Sequence, residues 1–573
     1  MSEAGPDRGT AGPMPHPEAV SLGEALARVV DLPGGVRCIG SAGDGTLRPW
    51  GEVMGRAERC AARLASRGAA PGARVALLGS TSDGLLSALL GTWLTGAAVS
   101  VLPLPFRLGS LEDYVRETRD RLARLDPAVV VLDDALAPFL PPEIPGETVG
   151  LGRLLEEAAR HPGGVRAHPA RADDLAIVQF TSGSTSDPRA VCLPATAVMA
   201  NVSAITAAVA YDPERDVNVS WLPLYHDMGL IGLTALSCLS GGQLVLMAPA
   251  DFLSAPARWL DAIVDFGGTA SAGPNFGYAL AARALRRGPQ RDLGGWRLAI
   301  NGAETIEPAV TAELAAAGAA HGFDPKAQVA AYGLAEATLA VTLSPLGEGI
   351  RLERVERRAL EEEGRALPLE GATGDAGAGG RDAFVELVRL GRPIGDVEVR
   401  IVDPATGAPC GERTVGEIEV RGSSVTTGYL HDPEGSAWIF HDGWLRTGDA
   451  GYLSDRELVV TGRLKDLIVV GGRNVAPEEV ERAAGRVSGV RPGNVAAFSV
   501  PGRHGKERIV IAAETRERPP ELAEEVRRAV LDAVGLPVTA VVLLSPGRLP
   551  KTTSGKLRRH EARRQYLAGT LAD

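Results

Sequence analysis

Apolar and polar positions along this chain follow two alternating patterns. Short runs rich in Val, Ile and Leu, such as ARVALLG (73–79), AAVSVLPL (97–104) and PAVVVLDD (127–134), recur between longer segments of helical periodicity, of which SLEDYVRETRDRLARL (110–125) is the clearest. An uninterrupted apolar run predicts a strand covered on both faces. Such strands alternating with helices predict an α/β fold of layered parallel sheets. The uncharged stretch 231–248 approaches the length of a membrane span, but Gly241-Gly242 divides it and LVLM follows, so a buried helix and then a strand are expected.

From about Glu386 the texture changes. VEVRIVDPATG, GEIEVRG, WLRTGD and ELVVTGRLKD, with turn signals between them, predict a smaller β-rich unit. About 110 residues remain after Gly462, enough for an α+β domain of their own. The expected organisation is a disordered tail over 1–20, a core over 21–462 whose β-rich part starts near 386, and a C-terminal domain over 463–573. Segment 364–382 is rich in Gly and Ala and reads as a flexible surface insertion.

Composition narrows the class. With 573 residues, 45% hydrophobic and 23% charged, the chain has ordinary globular composition and too much length for one core. A net charge of −11 repels phosphate backbones and argues against nucleic-acid binding. The basic stretch 551–564 reads as a solvated helix face, apart from Lys551 and Lys556. Cys38, Cys60, Cys192, Cys238 and Cys410 are odd in number and widely spaced, as expected of reduced thiols in a cytoplasm and not of zinc ligands or a disulfide framework. The first residues lack a signal-peptide pattern, and no solenoid repeat is present.

The sharpest local chemistry is TSGSTSDPR (181–189), directly after the strand-like LAIVQF. Small hydroxyl residues and Gly183 let backbone N–H groups approach phosphate oxygens, although the loop is not the GxxxxGK[ST] pattern and a polar surface turn is the alternative. Six further segments accompany it: SWLPLYHDMGLIG (220–232), NGAE (301–304), AYGLAEAT (331–338), RTGDAGYL (446–453), GRLKDLIVVGGRN (462–474) and LPKTTSGKLRR (549–559).

In order and spacing, from about residue 22 to the C-terminus, this set resembles the adenylate-forming superfamily of acyl-CoA synthetases, fatty acyl-AMP ligases, peptide-synthetase adenylation domains and luciferases. The resemblance implies ATP as substrate and Mg²⁺ as cofactor. It places Thr181, Ser182, Gly183, Ser184 and Thr185 around the departing phosphates, with Glu336 on Mg²⁺ and Thr338 nearby. Gly302, Ala303, Tyr332 and Gly333 frame the adenine, Tyr332 stacking on it, and Asp449 takes the ribose hydroxyls with help from Arg463. Lys556 is the main catalytic group, bridging substrate and α-phosphate oxygens. His226 shapes the junction of acid and adenylate. Lys465 matches the hinge about which the C-terminal lid rotates. Singly, Glu336, Asp449 and Lys556 would read as ordinary solvated side chains. One departure stands out: Pro188-Arg189-Ala190 replaces the family's Pro-Lys-Gly, keeping the charge with another geometry and excluding most positive-φ conformations.

The wording of YHDMGLIG and AYGLAEAT, with the extra stretch between Leu343 and Gly391, looks most like the fatty acyl-AMP ligase branch. There an insertion hinders the movement that would admit coenzyme A, and the acyl group passes to a carrier protein. Acyl-CoA synthetase activity, ATP-dependent activation of nitrite toward an aromatic amine, and a non-catalytic nucleotide binder are the alternatives. Segments 220–239 and 271–285 are expected to line the acid pocket, with small or apolar residues and few cations.

Overall fold

The structure is a computed structural model that describes residues 21–105, 111–140, 143–161, 163–164, 167–168, 171, 174–181, 189–369, 383–470, 473–501, 507–552 and 556–571. The expected tail, most of the phosphate loop and residues 370–382 of the Gly-rich insertion lie outside them.

Two large sheets carry the core. The first has nine strands, in the order Arg392–Pro393, Ala340–Leu343, Gln328–Gly333, Leu298–Asn301, Ala270–Gly273, Val217–Ser220, Gln243–Met247, Gly35–Ile39 and Arg48–Pro49. Its six central strands pair in parallel, and antiparallel strands close both edges. The second runs Glu147–Gly150, Val129–Leu132, Arg74–Leu78, Ala98–Val101, Leu175–Phe180 and Ala190–Pro194, parallel except for the last. Val129–Leu132 and Ala98–Val101 are buried at every position, as their continuous apolar runs require of strands covered on both faces.

The uncharged stretch folds as expected. A helix with widened π-type turns, Met228–Ala235, continues into Leu236–Ser240 and stops at Gly241, whose φ of +75° is left-handed. The strand Gln243–Met247 follows. Among the described residues no helix is long and apolar enough to cross a membrane.

The change of texture near residue 386 resolves into separate events. Phe384–Val388 pairs with Leu352–Glu356 as an isolated ladder, and Arg392–Pro393 closes the nine-stranded sheet. An antiparallel five-stranded sheet then runs from Glu398–Val402 to Glu457–Arg463.

Beyond it, Val490–Pro501, Glu507–Thr515 and Val538–Leu544 form a three-stranded sheet. The helices Pro477–Gly485 and Leu522–Val534 pack on one face, where Val480, Val526 and Val530 are fully buried. The helix Arg559–Leu567 packs on the other, where Ala562 and Tyr566 meet Phe498. The basic stretch is only in part the solvated face expected of it. His560 and Arg564 are exposed, but Arg559 is largely buried between Glu481 (2.7 Å), Glu478 (2.8 Å) and Asp466 (3.3 Å), and Arg563 donates to the Ser499 carbonyl; Lys551, which stood outside that expectation, donates to Asn494 at 2.8 Å.

Both apolar clusters of this segment draw only on residues from Ile468 onward. A fragment spanning 464–573 is therefore expected to fold alone, with a cooperative thermal transition by circular dichroism. A featureless melt would show that it needs the core.

Candidate active site

A cleft of about 2340 Å³ runs between the core and the C-terminal segment, lined by residues from nearly every sequence motif. Its floor is where parallel strands end, the place at which open α/β sheets gather ligands. Thr181 follows Leu175–Phe180, Gly302 and Ala303 follow Leu298–Asn301, and Tyr332 and Gly333 end Gln328–Gly333. His226 lies beyond Val217–Ser220, in the turn leading to the π-type helix.

Close approach of backbone shapes the side of this floor around Gly333 and Ala303. A Cβ on Gly333 would stand 1.7 Å from the Leu339 carbonyl oxygen, so no side chain is tolerated there. Ala303 has φ +70° and Thr338 φ +69°, conformations that cost a residue with a Cβ roughly 1–3 kcal/mol. Thr338 is held in place by its hydroxyl, which donates to the Ser424 carbonyl at 2.6 Å.

The strands Trp444–Ser454 and Glu457–Arg463 bring Asp449 opposite Arg463, with Nε to Oδ1 at 3.0 Å. Tyr332 donates its hydroxyl to the other carboxylate oxygen at 2.8 Å. Burial, reinforced by the Asp449 charge, pushes the Tyr332 phenol well up, so this proton stays on the ring. Each carboxylate oxygen retains a lone pair for a further donor such as a ribose hydroxyl.

Glu336 accepts the Tyr429 hydroxyl at 2.8 Å, and burial raises its carboxyl above the ordinary range. Among the described residues no three acidic, His or Cys side chains converge as a metal cage. A lone carboxylate at the cleft wall fits Mg²⁺ all the same, because that ion is commonly held by one or two carboxylates together with waters and substrate phosphates.

The phosphate loop is described only at its neck, where the Thr181 N–H donates to the Arg189 carbonyl at 2.9 Å; Ser182, Gly183, Ser184 and Thr185 lie outside the described residues. Arg189 donates to the Tyr429 hydroxyl at 3.2 Å and stacks 4.9 Å from its ring centre. The arginine thus reaches the same tyrosine that holds Glu336. Ala190 opens a strand paired with Phe180 and has no positive φ, so glycine is not required there.

Lys556 faces this floor from the C-terminal segment. Burial lowers its ammonium below the usual lysine range, while the charges of Asp227 and Glu304 oppose that shift. Burial works against the Asp227 charge too, but hydrogen bonding and charge from His226, 3.7 Å away, together with Lys556, hold its carboxyl below the usual range. Glu304 borders the cleft and accepts the Asn275 N–H at 2.8 Å.

Asp227 and Glu304 received no role from the sequence although both stand inside quoted motifs; their acidic type beside His226 and Ala303 was the available signal. Tyr429 lies outside every motif and had none. One wall of the cleft, made by Trp221, Leu253, Phe276, Leu280 and Val310, is apolar. At its end Arg283, Arg286 and Arg287 of the helix Asn275–Arg287 also line the cleft, of which only Arg283 falls in the segments expected to hold few cations.

Residues 33–430 match the family described as AMP-binding enzyme. The chain is 36% identical over 521 residues to a putative ligase of Mycobacterium tuberculosis, covering 89% of this chain and 93% of that one. It is 35% identical over 417 residues to the medium-chain-fatty-acid–acyl-carrier-protein ligase JamA of Moorena producens, covering 70% and 69%. Its fold is similar to a solved structure from work on fatty acyl-adenylate ligases of E. coli and L. pneumophila, with a TM-score of 0.86 and 31% identity over 97% of this chain and 99% of that one. A family match across most of the length, and a fold shared almost end to end, place this chain among the AMP-binding enzymes as an adenylate-forming ligase.

Proposed function

We propose that this enzyme activates fatty acids for transfer to a carrier-protein thiol. A carboxylate oxygen attacks the α-phosphorus of ATP, the bond to the β-phosphate oxygen breaks, and pyrophosphate leaves with that electron pair. The thiol, losing its proton, then attacks the acyl carbon of the adenylate; the thioester C–S bond forms, the acyl–phosphate C–O bond breaks, and AMP leaves with that electron pair. The observation that carries this reading is the position of Lys556, delivered from the far end of the chain into a cleft lined by Asp227, Glu304, Asp449 and Arg463. In-line attack concentrates charge on the non-bridging oxygens, and an ammonium already in place stabilises it without reorganisation.

The remaining residues divide the work. Asp449 and Arg463 orient the ribose, and Tyr332 presents its ring to adenine. His226, braced by Asp227, orients the attacking carboxylate. Glu336 would share Mg²⁺ with phosphate oxygens, and that ion, when bound, supplies charge neutralisation for the leaving pyrophosphate.

The apolar wall from Trp221 to Val310 suits an acyl chain, and a small anion such as nitrite would leave it unused. The relatives named for fatty acyl-adenylate and carrier-protein ligation favour the same reading over nitrite activation.

The choice of carrier thiol over coenzyme A has its own structural support. Arg357 and Glu361 belong to the helix Arg357–Glu363 within the insertion, and they reach across to the C-terminal segment. Arg357 pairs with Glu479 at 2.6 Å and with Glu361 at 2.9 Å, and Glu361 pairs with Arg473 at 2.5 Å. All four side chains are largely buried. Removing one member of such a set leaves a buried charge uncompensated, at a cost of about 3–5 kcal/mol. The insertion therefore restrains the lid through ion pairs.

Lys556→Ala is expected to lower ATP–pyrophosphate exchange by on the order of 10²-fold or more, with ATP affinity nearly unchanged. Wild-type exchange in that variant removes the role. The exchange rate should also fall on an alkaline limb below the ordinary lysine range, as the ammonium is lost. Asp227 raises that pKa, so Asp227→Asn shifts the limb to lower pH. Exchange should strengthen with fatty-acid length by about 0.8 kcal/mol, or ~4-fold, for each CH₂ buried, until the pocket is full; a flat profile counts against an acyl tunnel. Arg357→Ala should raise acyl-CoA formation relative to carrier-protein loading, and an unchanged ratio rejects the restraint.

A further inference from the structure

Trp438 plays no part in the chemistry above, yet three cations converge on it. Its indole is 50% exposed at the edge of the cleft, on the helix Pro433–Ile439. The Lys465 Nζ lies 5.0 Å from its ring centre, the Arg446 Cζ 5.3 Å and the Arg189 Cζ 6.0 Å. Arg189 closes the phosphate loop, Arg446 lies in the strand Trp444–Ser454, and Lys465 follows the strand that ends at Arg463.

Like charges gathered this closely repel, and the negative face of an indole is one of the few uncharged groups that offsets this. Two of the three are also fixed elsewhere. Arg446 donates to Glu417 at 2.7 Å, and Arg189 donates to the Tyr429 hydroxyl. Among the described residues Lys465 forms no ion pair with a carboxylate, and Trp438 is its seat.

The position of Lys465 passes directly to the catalytic loop. Its neighbour Asp466 binds Arg559 at 3.3 Å, and Arg559 stands three residues beyond Lys556. The ring that holds Lys465 therefore bears on the segment that carries the catalytic ammonium, and it touches the exit of the phosphate loop through Arg189.

We propose that Trp438 is a positioning residue for adenylation: it seats Lys465 so that the C-terminal segment keeps Lys556 in the cleft. The proposal rests on the functional reading above, in which Lys556 is the catalytic group, and on the hinge position that the family resemblance gives Lys465. The full-length enzyme with Trp438→Ala, Trp438→Phe, Lys465→Gln and the Trp438→Ala/Lys465→Gln double substitution tests it. ATP–pyrophosphate exchange is measured with the fatty acid that gives the fastest wild-type rate. Trp438→Ala should lower kcat about 10-fold, with KM for ATP and acid and the melting temperature unchanged, because the contact acts on lid position and not on ligand binding. Trp438→Phe keeps an aromatic face and should recover most of the rate. The double variant should be no slower than the slower single one, as for two members of one contact. An unchanged kcat in Trp438→Ala, a rise in KM with constant kcat, failure of Phe to rescue, or additive losses would each overturn the proposal while exchange by the wild type stands. Absence of exchange in the wild type would instead overturn the adenylation reading, and this proposal with it.

Discussion

One opposition organises the proposed site: the half-buried ammonium of Lys556 against the acidic side chains on the core floor. Burial works against its charge, and the carboxylates Asp227 and Glu304 on the core supply the opposing field. A detached C-terminal segment would not offer that balance, so the position of the lysine is inseparable from how the segment is held. Several contacts share the holding. Arg558 reaches Glu117 at 3.3 Å, and Arg357 and Glu361 bind Glu479 and Arg473, while inside the segment Arg559 ties the loop to Asp466, Glu478 and Glu481.

The contacts made by Arg558, Arg357 and Glu361 are ion pairs, which suits the lid opening of the proposed function. A greasy interface of the same size would be stable but hard to part, whereas partly buried ion pairs exchange with water at modest net cost. Burial has its price even here: it pushes the Glu481 carboxyl up to about 7 despite the guanidinium of Arg559 beside it. Such groups hold geometry more than they contribute stability.

The nucleotide side obeys a different rule. Strand ends set it, with backbone strain at Ala303 and Thr338 and a glycine at 333 that no other residue can replace. Strain persists where the surroundings over-determine it, and here two buried sheets and the Thr338 hydroxyl bond provide that rigidity. On the proposed function, a rigid floor under a movable lid would let one site hold a nucleotide and still release an activated product.

The sequence by itself determined the layered α/β core, because short β-branched apolar runs such as 129–132, set between helical segments, suit strands covered on both faces. It also placed His226, Tyr332, Glu336, Asp449 and Lys556 within motifs of recognisable order. The loop 182–185 was legible only as a motif, and it lies outside the described residues. Only the tertiary structure decided that Asp227 and Glu304 face the lysine, that Arg189 reaches Glu336 through Tyr429, and that an exposed tryptophan gathers three cations. These contacts join residues far apart in the chain, Arg558 and Glu117 being 441 positions apart, and local periodicity carries no information at that range. The basic stretch 551–564 shows the difference in one place. Composition alone made it a solvated face, and the carboxylates that bury Arg559 come from residues 466, 478 and 481, which only the folded chain brings to it.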